Sequence, residues 1–163
     1  MAYLLDANVL MQGAKDHYAF DICPGFWDFL AAANERGEVF SIEKVLEECQ
    51  GKDDSLRAWA NNLGERFFLP DDARSMAARS EVAACLEARD YTKAAIRKFM
   101  GDADPLLIAC AKAHGHTIVT HEGLFDSAQR IRIPPVCDAL VVKYTKTWPM
   151  LRDLGAQFVL QKA

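Results

Sequence analysis

Apolar positions along this chain switch repeatedly between a spacing of two and a spacing of three to four, which marks strands alternating with helices. Ala2 to Leu5 reads as a short buried strand that meets Asp6 at once and passes into a loop. Phe26 to Glu35 reads as a helix, entered through Pro24-Gly25 and ended by Arg36-Gly37. Val39 to Ile42 fits a second strand. From Glu43 the spacing is helical, with Ile42, Val45, Leu46 and Cys49 on one face and Gly51 as the stop. Ser55 to Leu63 is a further helix and Phe67 to Leu69 a third strand before Pro70. Asp72 to Phe99 is an Ala-rich pair of helices broken around Arg89 to Thr92.

The spacing then predicts Asp104 as an N-cap, Pro105 at the first helical position and a stop at Gly115 after His114. Thr117 to Thr120 is the fourth strand and Val141 to Tyr144 a fifth candidate. Trp148 to Leu154 reads as helical and Gln157 to Leu160 as extended. Such alternation calls for a parallel sheet with helices on both faces. No repeat, linker or low-complexity stretch interrupts it, so one domain over residues 1–163 is expected.

Composition narrows the class. A chain of 163 residues that is 51% hydrophobic can bury a substantial core. No apolar run approaches the ~18–20 residues of a membrane span, and the N-terminus lacks the pattern of a signal peptide. The five cysteines are scattered without a Cys-x-x-Cys pair, which points to reduced thiols and a cytoplasmic protein rather than a zinc site. The net charge is −4, so any nucleic acid must be held by a local basic patch and a bound cation.

The candidate chemistry lies in four acidic residues, each placed where a strand runs into a helix or turn: Asp6, Glu47, Asp104 and Glu122. In a parallel sheet such positions converge on one edge, where open α/β proteins bind ligands. Converging carboxylates repel unless a cation sits between them, so a hard divalent ion such as Mg²⁺ or Mn²⁺ is expected. Such an ion can activate water against a phosphodiester. Asp6 and Asp104 are the leading ligands, with Glu47 as a third or as a holder of bound water, the role also given to Glu122. Asn8, Thr120 and Lys15 are candidate substrate contacts, as are Arg97-Lys98 and Arg130-Ile131-Arg132.

Leu5-Asp6-Ala7-Asn8, Glu47 with Gly51, Asp104-Pro105-Leu106-Leu107-Ile108-Ala109 and Val119-Thr120-His121-Glu122-Gly123-Leu124-Phe125 resemble, in order and spacing, the four motifs of a PIN domain. Phe20 to Trp27, Gly51 to Leu56, Ile133 to Cys137 and Met150 to Gly155 are similar to signatures of the DUF4411-type branch. The resemblance implies a three-layer α/β/α fold around a parallel sheet of four to five strands. It also implies a VapC-like ribonuclease, the toxin of a toxin–antitoxin pair, with an antitoxin partner and a homodimeric state. Position 122 departs from the pattern, where Asp is commoner.

Ordinary structural roles compete at each site. Asp104 could be a helix cap alone, with Asp102 the alternative ligand one turn away. Glu43 and Glu48 compete with Glu47. Phe20, Phe26, Trp27 and Phe29 fit an aromatic core better than a base-stacking surface. His121 adjoins the site. DNA cleavage and a non-catalytic PIN-like binding module are the alternative functions.

Overall fold

The computed structural model describes residues 1–51 and 53–160. The chain begins with β1 (Tyr3–Leu5), α1 (Ala7–Gln12) and a π-helical turn (Gly13–His17), then α2 (Pro24–Glu35) and β2 (Val39–Ile42). It continues through α3 (Glu43–Glu48), α4 (Asp54–Leu63), β3 (Phe68–Leu69), α5 (Ala73–Glu87) and α6 (Lys93–Gly101). It closes with α7 (Asp104–His114), β4 (Thr117–Val119), α8 (Ile133–Leu140), β5 (Tyr144–Thr145) and α9 (Thr147–Asp153).

All five strands are parallel, in the order β3-β2-β1-β4-β5. Leu4 lies opposite Ile118 and Leu5 opposite Val119, so the centre of the sheet is apolar on both faces and needs helices on both. Helix α7 is buried along nearly its whole length, Leu107 to Ala111 in succession, and α5 packs along it. Burying a Leu or Ile side chain stabilises the fold by roughly 1.5–3 kcal/mol, so this central pair of layers dominates the energetics. Across the sheet, Phe26 and Trp27 are wholly buried, with Phe20 stacked on Trp27 at 4.1 Å and Trp59 meeting it edge-on at 5.0 Å. Buried Asn34 ties the layers by donating from Nδ2 to the carbonyls of Val39 and Arg66, both at 2.9 Å.

The parallel sheet, helices on both faces and strand count match the expected architecture. Several details differ from what the sequence predicts, beginning with α8, a helix the spacing did not foresee. The loop expected after Asp6 is α1 and the π turn. Asp104 is the first residue of α7 and Ala103 the N-cap, so Asp104 does not cap that helix. The fifth strand lies at Tyr144–Thr145 and not at Val141 to Tyr144, because Val141 is the left-handed C-cap of α8, with φ 57°. Gln157 to Leu160 joins no strand. Among the described residues no helix is long and apolar enough to cross a membrane.

Candidate active site at the carboxyl edge of the sheet

Strand order reverses about β1, with β2 on one side and β4 on the other, and this is where an open α/β sheet forms its cleft. Asp6 leaves the end of β1, and Thr120, His121 and Glu122 follow β4. Asp6 is only 3% exposed. The Thr120 hydroxyl donates to Asp6 Oδ2 at 2.7 Å. As an acceptor, the Thr120 hydroxyl oxygen takes the Glu122 backbone N–H at 3.1 Å and Asn8 Nδ2 at 3.4 Å. Asn8 Oδ1 accepts from the His121 N–H at 3.1 Å. A hydroxyl offers one proton and two lone pairs. Thr120 uses all three within the network and has no proton left for a substrate.

Burial is the main reason the Asp6 carboxyl is pushed up to about 7, with Glu122 and Glu48 adding to it against the Thr120 hydrogen bond. Asp104 is half-buried at the start of α7 and is pushed up to about 8, by burial first and then by Asp6, Glu122, Glu48 and Asp102. Asp6 and Asp104 therefore share one electrostatic environment. Among the described residues no three His, Cys, Asp or Glu side chains close into a ready-made metal cage. The donor set facing the cleft is nonetheless all carboxylate, which is the chemistry of a hard cation.

Glu48 joins this group, whereas Glu47 does not. The Glu48 carboxyl is raised by burial and by Asp102, and it accepts a hydrogen bond from the Ala103 backbone. The Glu47 side chain is 59% exposed, pairs with Lys44 at 2.5 Å and borders a separate cavity of about 260 Å³ with Lys44 and Arg79. The signal for Glu48 was in the sequence. Val45, Glu48 and Cys49 stand at i, i+3 and i+4, and Val45 and Cys49 are buried.

Glu122 is held in place from two sides. Its Oε2 accepts the Ile133 N–H at 2.6 Å at the start of α8, and its carbonyl accepts from Lys146 Nζ at 2.6 Å. A carboxylate at a helix N-terminus is favoured by the helix dipole. Glu122 and Asp104 share a cavity of about 180 Å³ with Asp102, Lys98 and Arg130. A second cavity, of about 600 Å³, is bordered by Glu48, Lys15 and Met11. The acidic centre is thus flanked by basic side chains from α6, the segment before α8 and the π turn. The sequence singled out neither the Ile133 nor the Lys146 contact with Glu122.

No curated protein matches the sequence significantly. Among solved structures, the chain is similar to a chain of VapBC2 from Rickettsia felis, solved bound to a DNA fragment from their promoter. The match has a TM-score of 0.55 at 14% identity and covers 90% of this chain and 98% of that one. It establishes a PIN-like α/β/α fold. Residues 3–158 match the family described as a domain of unknown function, DUF4411. The chain belongs to the DUF4411 family.

Proposed function

We propose that this protein is a divalent-metal-dependent endoribonuclease and the toxin of a toxin–antitoxin pair. The observation that carries this reading is the pair of buried Asp6 and half-buried Asp104 where the strand order reverses, each raised first by burial and then by the carboxylates around it. A group of acids that repel one another so strongly is stabilised by a cation, and Asp6, Asp104 and Glu48 would hold it. When bound, Mg²⁺ or Mn²⁺ supplies Lewis acidity toward the phosphate and lowers the pKa of water. With no ready-made cage of three such side chains among the described residues, Mg²⁺ suits the site because it keeps several of its waters.

The chain's own groups divide the remaining work. Lys98 and Arg130 at the rim offset the charge of the substrate phosphates. Asn8 keeps one amide proton beyond its bond to Thr120 and can donate it to the scissile phosphate. Glu48, open to solvent at the cleft and with a carboxyl raised by partial burial and by Asp102, would accept a proton from attacking water. Glu122 orders the loop between β4 and α8. The similarity to one chain of a VapBC2 complex supports a cognate antitoxin, and a homodimer is part of the same proposal.

The engagement of Glu122 with Ile133 favours a second reading, a PIN-like module that binds without cutting. RNA and DNA strands of matched sequence, incubated with the protein in Mg²⁺, Mn²⁺ or EDTA, separate these readings. Cleavage of RNA that EDTA abolishes is the expected result. Equal cleavage of DNA would replace the ribonuclease by a general nuclease, and binding without cleavage would favour the module.

The neighbours on α3 give a sharper prediction. Glu48→Gln is expected to weaken Mn²⁺ binding by at least about tenfold, the smaller loss seen when groups around a metal are removed. Glu47→Gln loses only an exposed ion pair worth a few tenths of a kcal/mol and should bind Mn²⁺ like the parent. Titration followed by thermal unfolding checks both, and the opposite ranking would return the role to Glu47.

A further inference from the structure

Beside the acidic centre stands an aromatic shelf built from three segments that reach the same edge of the sheet. Trp148 comes from the first turn of α9, directly after β5; His121 follows β4; His17 ends the π turn after α1. The Trp148 and His121 rings stack with centroids 5.4 Å apart and planes 9° from parallel. His17 meets both edge-on, at 6.0 Å from Trp148 and 5.7 Å from His121. The shelf is held rigidly. His121 Nδ1 donates to Gln12 Oε1 at 2.9 Å, Nε2 accepts the Thr147 hydroxyl at 2.6 Å, and Trp148 also reaches the side chain of Tyr18. Burial, and then His17 and Lys146, lower the His121 pKa and favour the neutral ring.

An indole pinned by this many neighbours belongs in a core, yet Trp148 is 44% exposed. One face rests on His121, and among the described residues no second ring stacks on Trp148. The other two tryptophans serve packing: Trp27 is buried and Trp59 is packed against it. The shelf is also wired to the acidic centre. His121 donates its N–H to Asn8, Asn8 bonds Thr120, and Thr120 bonds Asp6.

We propose that the free face of Trp148, flanked by His17, is a stacking subsite for an unpaired nucleobase, which sets an adjacent phosphodiester of single-stranded nucleic acid over the carboxylates. The proposal rests on the nuclease reading for its substrate class and adds how the strand is held. A flat, rigid, half-exposed aromatic surface suits a base because stacking uses the π-face that every base presents, and only an unpaired, unstacked base has that face to offer. The two histidines extend the surface without adding a fixed negative charge, in a chain whose net charge is −4.

The test uses the full chain in an Asp104→Asn background, which removes one repelling charge and is expected to stop hydrolysis. A short single-stranded RNA, DNA of the same sequence and the corresponding duplex are titrated separately, with indole fluorescence and the anisotropy of an end-labelled strand as readouts. Single strands should quench the indole saturably. Trp148→Leu should remove the quenching and weaken binding by roughly ten- to a hundredfold, and Trp148→Phe, which keeps a ring, should recover most of the affinity. With Asp104 restored, Trp148→Leu should raise KM for RNA cleavage far more than it lowers kcat. Binding and KM unchanged in Trp148→Leu would overturn the subsite while leaving the nuclease intact. A duplex that depends equally on Trp148 would overturn the unpaired-base assignment. Absence of both binding and cleavage in the parent would overturn the subsite and the nuclease together.

Discussion

Asp104→Asn should give a protein that melts at a higher temperature at about pH 8 but no longer cuts RNA. The two effects share one cause. Asp104 sits half-buried among Asp6, Glu122, Glu48 and Asp102, and its carboxyl is pushed up to about 8. Ionising it without a cation is therefore costly, at ~1.4 kcal/mol for every tenfold change in its acid dissociation constant. Asparagine fills nearly the same volume and carries no charge. A gain on the order of 2–4 kcal/mol at that pH is expected, or roughly 5–10 °C in Tm for a chain of this size. Activity should fall by more than ~100-fold, since removing mere supporting groups around a metal can already cost that much. Thermal unfolding and RNA cleavage on the same preparations check it. A variant that is less stable and fully active would end the case for Asp104 as a metal-holding residue.

Without divalent ions, the parent protein should lose stability as pH rises, opposite to the usual behaviour of paired carboxylates. Asp6 and Asp104 both have folded-state pKa values above the ordinary 3.8, near 7 and 8. The folded state therefore binds protons that the unfolded state has released. Their contribution is complete below about pH 4 and is lost as pH climbs through roughly 7 and 8. Melting in EDTA should accordingly show a falling Tm across that window. Mn²⁺ should reverse the fall at the alkaline end, by ~2.7 kcal/mol at a hundredfold excess over its dissociation constant. The same addition should do little at about pH 5, where protons occupy the carboxylates the ion needs. A flat profile in EDTA, or equal stabilisation by Mn²⁺ at both pH values, would refute the shared acidic centre.

Strands and most helices were legible because buried parallel strands show up as short apolar runs between turn residues, and α2, α4 and α7 have ordinary punctuation at one or both ends. Two elements were hidden for identifiable reasons. In α1 and the turn after it, the π geometry at Gly13–His17 shifts the helical period and breaks the expected spacing. In α8, adjacent Pro134 and Pro135 mask the helical spacing. They occupy its first turn, where a missing N–H costs nothing, and Glu122 serves the Ile133 N–H just before them.

Of the candidate site, the sequence pointed to Asp6 and Asp104 meeting at one edge of the sheet, and the fold brings their carboxylates into one environment. The choice between Glu47 and Glu48 turned on about 100° of helix rotation, which the Gly51 spacing could not resolve; in the structure Glu47 pairs with Lys44, while Glu48 lies in the electrostatic environment of Asp102 and Asp104. Thr120 was placed beside the site, but its engagement on all three hydrogen-bonding positions is visible only in three dimensions. The half-exposed Trp148 gave no signal in sequence, since an aromatic at a helix start ordinarily packs.

The outermost strands, β3 and β5, are only two residues long. Such truncated margins offer few free backbone groups to template another chain's strand, which disfavours extension of the sheet from either side. A lasting complex is accordingly favoured through side chains on its helices and loops. Its choice of companion is thereby open to change by substitutions that leave the central layer untouched.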